Sequence, residues 1–140
     1  MKNTVKGKIM EELFNLGISE KTMDNMLDIN PYLKQITKDE ILNKIQLLKS
    51  INCSDREIFN VISSNPIYLN QTNDKLVTLF NYLLSLGFST LDVLFDANPY
   101  ILNLDIFEIE KYINTRLNSG ELLEDIIDEL DSNPYLFNEI

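Results

Sequence analysis

A chain of 140 residues, 44% apolar and 24% charged, is long enough for one buried core and too rich in Ile, Leu and Phe to stay disordered. Its formal charge of −10 is uneven: residues 1–34 and 35–69 are each neutral, 70–102 carry −2 and 103–140 carry −8. Four scattered glycines, one cysteine and no histidine exclude a phosphate-cradling loop, an internal disulfide, a Cys/His zinc site and a serine–histidine nucleophile.

Every proline follows an asparagine, in Asn30-Pro31-Tyr32-Leu33, Asn65-Pro66-Ile67-Tyr68-Leu69, Asn98-Pro99-Tyr100-Ile101-Leu102 and Asn133-Pro134-Tyr135-Leu136-Phe137. Spacings of 35, 33 and 35 residues mark an internal repeat. The copies fall at about 1–34, 35–69, 70–102 and 103–140 of a single domain spanning 1–140. The expected fold is all-α: a right- or left-handed solenoid of about four two-helix repeats, each closed by a short proline-led third turn.

In the first copy Val5, Ile9, Met10, Leu13, Phe14 and Leu16 recur at helical spacing up to Gly17. A second helix from about Ser19 carries Met23, Met26 and Leu27 inward and stops before Asn30-Pro31. In the second copy Thr37-Lys38-Asp39-Glu40 and Ser54-Asp55-Arg56-Glu57 read as capping boxes. They open helices with apolar faces Ile41, Leu42, Ile45, Leu48, Ile51 and Ile58, Val61, Ile62. In the third, a helix from about Asp74 to Leu86 precedes a shorter one begun by Phe88 and Ser89, with Leu91, Leu94 and Phe95 inward. Here serine to proline is two residues shorter than in the first two copies. In the fourth, Ile106, Ile109, Ile113 and Leu117 form a stripe flanked by Phe107 and Tyr112. The spacing then predicts a helix over 121–131 that buries Leu122, Leu123, Ile126, Ile127 and Leu130.

Proline ends each second helix because it lacks an amide proton and clashes with the preceding turn, while asparagine before it can cap a new short turn. Tyr32, Tyr68, Tyr100 and Tyr135 are expected to pack with the hydroxyl left wet. Cys53 stands where Ile18 and Phe88 stand in neighbouring copies and is expected in the core. No apolar run reaches the roughly 18 residues of a membrane span. Met1–Ile18 mixes lysines with Glu11 and Glu12 and contains no long apolar segment, so a cytoplasmic location without membrane contact is expected.

Leu83-Leu84-Ser85-Leu86-Gly87-Phe88-Ser89, an apolar helix, and Asn98-Pro99-Tyr100-Ile101-Leu102 together resemble the repeat of the mitochondrial transcription termination factor family. Leu48 to Leu69 is similar, with Asn52 replacing the glycine, as is Leu13 to Leu33 with Gly17, Ser19 and Pro31. The fourth copy departs from the pattern: Gly120 lies near the start of the predicted helix, and the serine after it is missing. The resemblance implies units of two helices and a short third helix, stacked into a curved solenoid that commonly holds nucleic acid in its groove. The matching positions are small or apolar, so it assigns no nucleic-acid contact residue by residue.

Three functional readings follow, none enzymatic and none with a cofactor or metal. The first is a protein-binding module that meets a partner with a basic surface through the repeat groove or the acidic last copy. Its candidate residues are Glu121, Glu124, Asp125, Asp128, Glu129 and Asp131. The second is nucleic-acid binding through Lys38, Lys44, Lys49 and Arg56, although these are interleaved with acids. The third is an inhibitor of a nucleic-acid-handling protein, its carboxylates imitating a phosphate row. A dimer through the last copy would use Leu136, Phe137 and Ile140.

Overall fold

The computed structural model describes residues 11–140, so the expectations for Val5, Ile9 and Met10 lie outside it. A helix covers residues 11–14, and the chain continues as α1 (Glu20–Ile29), α2 (Lys38–Ser50), α3 (Asp55–Ser64), α4 (Asn73–Leu86), α5 (Leu91–Ala97), α6 (Ile106–Asn118) and α7 (Leu123–Ser132). Four 3-10 turns follow the second helices: η1 (Pro31–Gln35), η2 (Pro66–Asn70), η3 (Pro99–Asn103) and η4 (Pro134–Glu139). No strand occurs among the described residues. The unit is therefore helix, helix, proline-led turn. Within a unit α2 packs on α3, α4 on α5 and α6 on α7. Between units α1, α3 and α5 touch in series, and so do η1 to η4.

Local chemistry accounts for the boundaries. Both expected capping boxes form, Thr37 with Glu40 and Ser54 with Glu57, and Asp105 with Glu108 makes a third. Each first helix of a unit ends at a residue in the left-handed region: Gly17, Asn52 (φ 73°), Gly87 and Gly120. Asparagine tolerates that conformation better than other side-chain-bearing residues, so it replaces glycine there. Gly120 is thus in register with the other three, and Leu122 stands where Ser19 and Ser54 cap α1 and α3.

That substitution corrects the expected start of the last helix. Leu122 is itself the N-cap, supplies no side-chain bond and is 66% exposed, so α7 starts at Leu123 rather than at residue 121. Leu123 is 39% exposed, leaving Ile126, Ile127 and Leu130 as the buried face. The short third copy also has a local explanation. Ser89 does not cap; α5 starts after Thr90, which makes no side-chain cap bond, and has seven residues where α1, α3 and α7 have ten. The helix is three residues shorter: two are missing and Ser89 has moved into the linker, so the asparagine–proline step stays in place.

Leu, Ile, Met and Phe from every described unit form one continuous core. Phe80 and Phe95 pack at 5.5 Å between centroids within the third unit, and Phe88 meets Phe137 at 5.9 Å across the third and fourth. Phe137 is fully buried by this contact, which removes it from the expected dimer surface, while Leu136 and Ile140 pack against the same core. Tyr68 departs from the tyrosine series. It follows its proline by two residues rather than one, is fully buried, and its hydroxyl donates to the Lys44 carbonyl at 2.6 Å. Tyr32, Tyr100 and Tyr135 stay exposed, as does Phe107.

Candidate interaction surfaces

The units are stapled by asparagine. Asn30, Asn65 and Asn98 are 1–2% exposed, and each Nδ2 donates at 3.0 Å to the carbonyl of the next unit's proline: Pro66, Pro99 and Pro134. The residue four places beyond that proline closes the rung. Asn70 Nδ2 donates to Asn30 Oδ1, Asn65 and Asn103 exchange two amide bonds, and Asn98 Nδ2 donates to Asn138 Oδ1. The proline carbonyl opens the 3-10 turn, and its second lone pair accepts the asparagine amide. Asparagine fits because its amide offers donor and acceptor together. The predicted capping role is filled as well at Asn30 and Asn98, which accept from the Tyr32 and Tyr100 amides. At Asn65 the oxygen is taken by Asn103 instead.

The candidate cations are not brought together as a phosphate-binding row. Lys44 is 6% exposed: it lies on the buried stripe with Ile41, Ile45 and Leu48, and its ammonium donates to Asn73 Oδ1 at 2.9 Å. Desolvation lowers its pKa, because burial disfavours the charged form. It is therefore a structural residue and not a surface contact. Lys38 pairs with Glu12 at 3.3 Å, and this carboxylate raises the lysine's pKa. Arg56 donates to Asp96 at 2.8 Å, across to the next second helix, where Asn60 also donates to the Asp96 carboxylate and carbonyl. Of the four, only Lys49 is exposed with no ion pair among the described residues.

The carboxylates of the last unit divide into two groups. Arg116, on α6, grips Glu121 through Nε and Nη2 at 2.9 and 2.6 Å, and Glu129 through Nη1 and Nη2 at 3.1 Å each. Its guanidinium also donates to the Tyr112 hydroxyl and lies over that ring. Hydrogen bonding to Arg116 holds the Glu121 pKa below the ordinary carboxylate range. Glu121, just before α7, and Glu129, within it, therefore fasten that helix to α6, and both stay exposed. Glu124, Asp125, Asp128 and Asp131 are exposed and have no basic partner among the described residues. Three of them, at positions 124, 128 and 131, follow the i, i+4, i+7 spacing of one helix face. Like charges so placed repel, and Asp131 also sits at the unfavourable negative end of the helix dipole.

No three His, Cys, Asp or Glu side chains are placed to hold a metal ion among the described residues, and no described helix is long and apolar enough to cross a membrane. Cys53 is buried, and burial pushes its thiol up to about 12.

Two grooves flank the first helices. One, of about 220 Å³, lies between Lys75, Thr78 and Leu79 of α4 and the Leu104–Ile106 segment that starts the next unit. The other, of about 400 Å³, lies between Glu108, Lys111, Tyr112 and Thr115 of α6 and the chain end at Glu139 and Ile140. The two are equivalent places in successive units, because Lys75, Thr78 and Leu79 precede Gly87 by the same intervals as Glu108, Lys111 and Tyr112 precede Gly120.

No curated protein and no solved structure matches the chain. The family model described as mTERF matches residues 1–128, nearly the whole chain, ending within α7 before the last proline-led turn. Together with the all-helical repeating unit, that match establishes that this chain belongs to the mTERF family.

Proposed function

We propose that the chain is a non-enzymatic binding module, a solenoid of four helical repeats whose acidic last unit receives a protein with a basic surface. The observation that carries this reading is the contrast between its two charged sets. Glu124, Asp125, Asp128 and Asp131 are exposed and without counter-charge among the described residues, whereas Lys44 is buried and Lys38 and Arg56 are already paired with acids. Four repelling carboxylates on one short helix are a standing electrostatic cost that a cationic partner would relieve, and their field would speed its approach.

The test is capture of partners from a native lysate, with and without nuclease, by the intact chain and by a Glu124→Gln, Asp125→Asn, Asp128→Asn, Asp131→Asn variant. A protein retained after nuclease, lost in the variant and weakened by salt supports the reading. Capture that disappears with nuclease refutes it.

The family match favours a second reading, nucleic-acid binding in the groove. Among the described residues, Lys21, Lys34, Lys49 and Lys111 are exposed with no ion pair and are the cations left for it. Each neutralised phosphate needs a cation and contributes to the salt slope, so these four lysines would give a shallow slope and weak binding.

A further inference from the structure

A cleft of about 410 Å³ lies between η1 and η2, where the first unit meets the second. Tyr32, Gln35 and Ile36 line it from η1 and its C-cap, Leu69 and Asn70 from η2, and Glu40 from the first turn of α2. All of its walls belong to two consecutive units already joined by a filled rung.

Two oxygens in the cleft have no donor among the described residues. Glu40 Oε1 is held in the capping box by the Thr37 amide and hydroxyl at 3.3 and 3.0 Å, which leaves Oε2 unclaimed. Asn70 gives its Nδ2 to Asn30 Oδ1, and its own Oδ1 accepts nothing. The other two rung-closing asparagines use theirs: Asn103 Oδ1 accepts from Asn65 and Gln71, and Asn138 Oδ1 from Asn98. A carboxylate and an amide oxygen thus share one concave site whose lining contains no cation.

The same place one unit later gives the scale. Ile36 and Glu40 precede Asn52 by 16 and 12 residues, as Gln71 and Lys75 precede Gly87. There Lys75 Nζ donates to Gln71 Oε1 at 3.0 Å, and Gln71 Nε2 donates at 3.4 Å to Asn103, the counterpart of Asn70. A lysine side chain therefore fits at this level of the repeat. Between the first two units Ile36 and Glu40 replace that pair, so the lysine is gone and acceptors remain.

The geometry points to a docking site for a lysine side chain of a partner protein. Glu40 Oε2 and Asn70 Oδ1 receive the ammonium, and Ile36, Leu69 and the exposed Tyr32 ring receive the methylene stem. Lysine suits it better than arginine. An ammonium donates three separate bonds, whereas a guanidinium is held best by both oxygens of one carboxylate, and Oε1 is already engaged. No residue of α7 takes part, so this site and the acidic last unit can each fail without the other.

The probe is Nα-acetyl-lysine methylamide, titrated into the isotope-labelled intact chain at low ionic strength and followed by amide NMR signals. Saturable shifts are expected at Gln35, Ile36, Leu69 and the Asn70 side chain, weaker with the arginine analogue and absent with the uncharged norleucine analogue. Glu40→Gln, which a capping box accepts, should weaken binding about fivefold. Ile36→Gln with Glu40→Lys copies the next unit, whose Thr72 caps α4 with Lys75 at the third helical position, and should abolish it. Far-UV circular dichroism checks that both variants keep their helicity. No shift at the cleft, equal binding by Glu40→Gln, or an arginine analogue that binds as tightly would each overturn the proposal. Shifts confined to α7 would overturn it too, and leave the reading of the acidic last unit standing.

Discussion

Replacing Asn65 with alanine removes the most completely satisfied rung. Its Nδ2 donates to the Pro99 carbonyl and to Asn103 Oδ1, each at 3.0 Å, and its Oδ1 accepts from Asn103 Nδ2 at 3.1 Å. A typical hydrogen bond contributes about 0.5–1.5 kcal/mol net, so three sum to about 1.5–4.5 kcal/mol. About 3 kcal/mol, the middle of that range, is expected. Equilibrium urea unfolding followed by circular dichroism measures this as a lower midpoint at unchanged slope. Asn133→Ala is the internal control: it carries the same residue at the same place in the unit, but with no rung, and should fall within about 0.5 kcal/mol of wild type. Equal effects at the two positions, or an Asn65→Ala chain as stable as wild type, would show that the rung is not what holds the units together.

Leu122→Ser should stabilise the chain by about 0.5–1 kcal/mol in the same assay, because Leu122 is an exposed N-cap with extended backbone and no side-chain bond to offer. Gly87→Ala should destabilise it by about 1 kcal/mol from backbone strain alone, since φ is 113° and nothing lies within 4 Å of an added Cβ. Cys53 should react very slowly with a thiol-specific disulfide reagent at mildly alkaline pH and at once in denaturant, because burial pushes its thiol up to about 12. The Arg116 clamp should loosen in acid. A depressed Glu121 pKa makes its contribution complete above the ordinary carboxylate value of about 4.3 and lost as pH falls through the lower folded value, which the Arg116 side-chain NMR signals will report.

The repeat was legible because proline punctuates it, and proline's missing amide has the same local consequence wherever it stands. Capping boxes at Thr37 and Ser54 were legible for the same reason: both partners lie within four residues. The rung was not, because Asn30, Asn65 and Asn98 find their partners 34 to 40 residues away, and a cap alone explains an asparagine before proline. A signal existed: Asn70, Asn103 and Asn138 each stand four places after a proline. Lys44 was also findable, since it falls three residues after Ile41 and four before Leu48 on the buried stripe. Reading charge by composition placed it outside; reading it by helical phase places it inside. The fork from Arg116 to Glu121 and Glu129 depends on how α6 turns back at Gly120 to meet α7, which no spacing rule encodes.

Whether the carboxylates of α7 or the lysines of the first two units form the working surface is decided most directly by fluorescence anisotropy of labelled single- and double-stranded DNA and RNA, titrated with the intact chain at low ionic strength. The account predicts no saturable binding to any of the four. Saturable binding that falls with salt and is removed by Lys21→Ala, Lys34→Ala and Lys49→Ala together would contradict it.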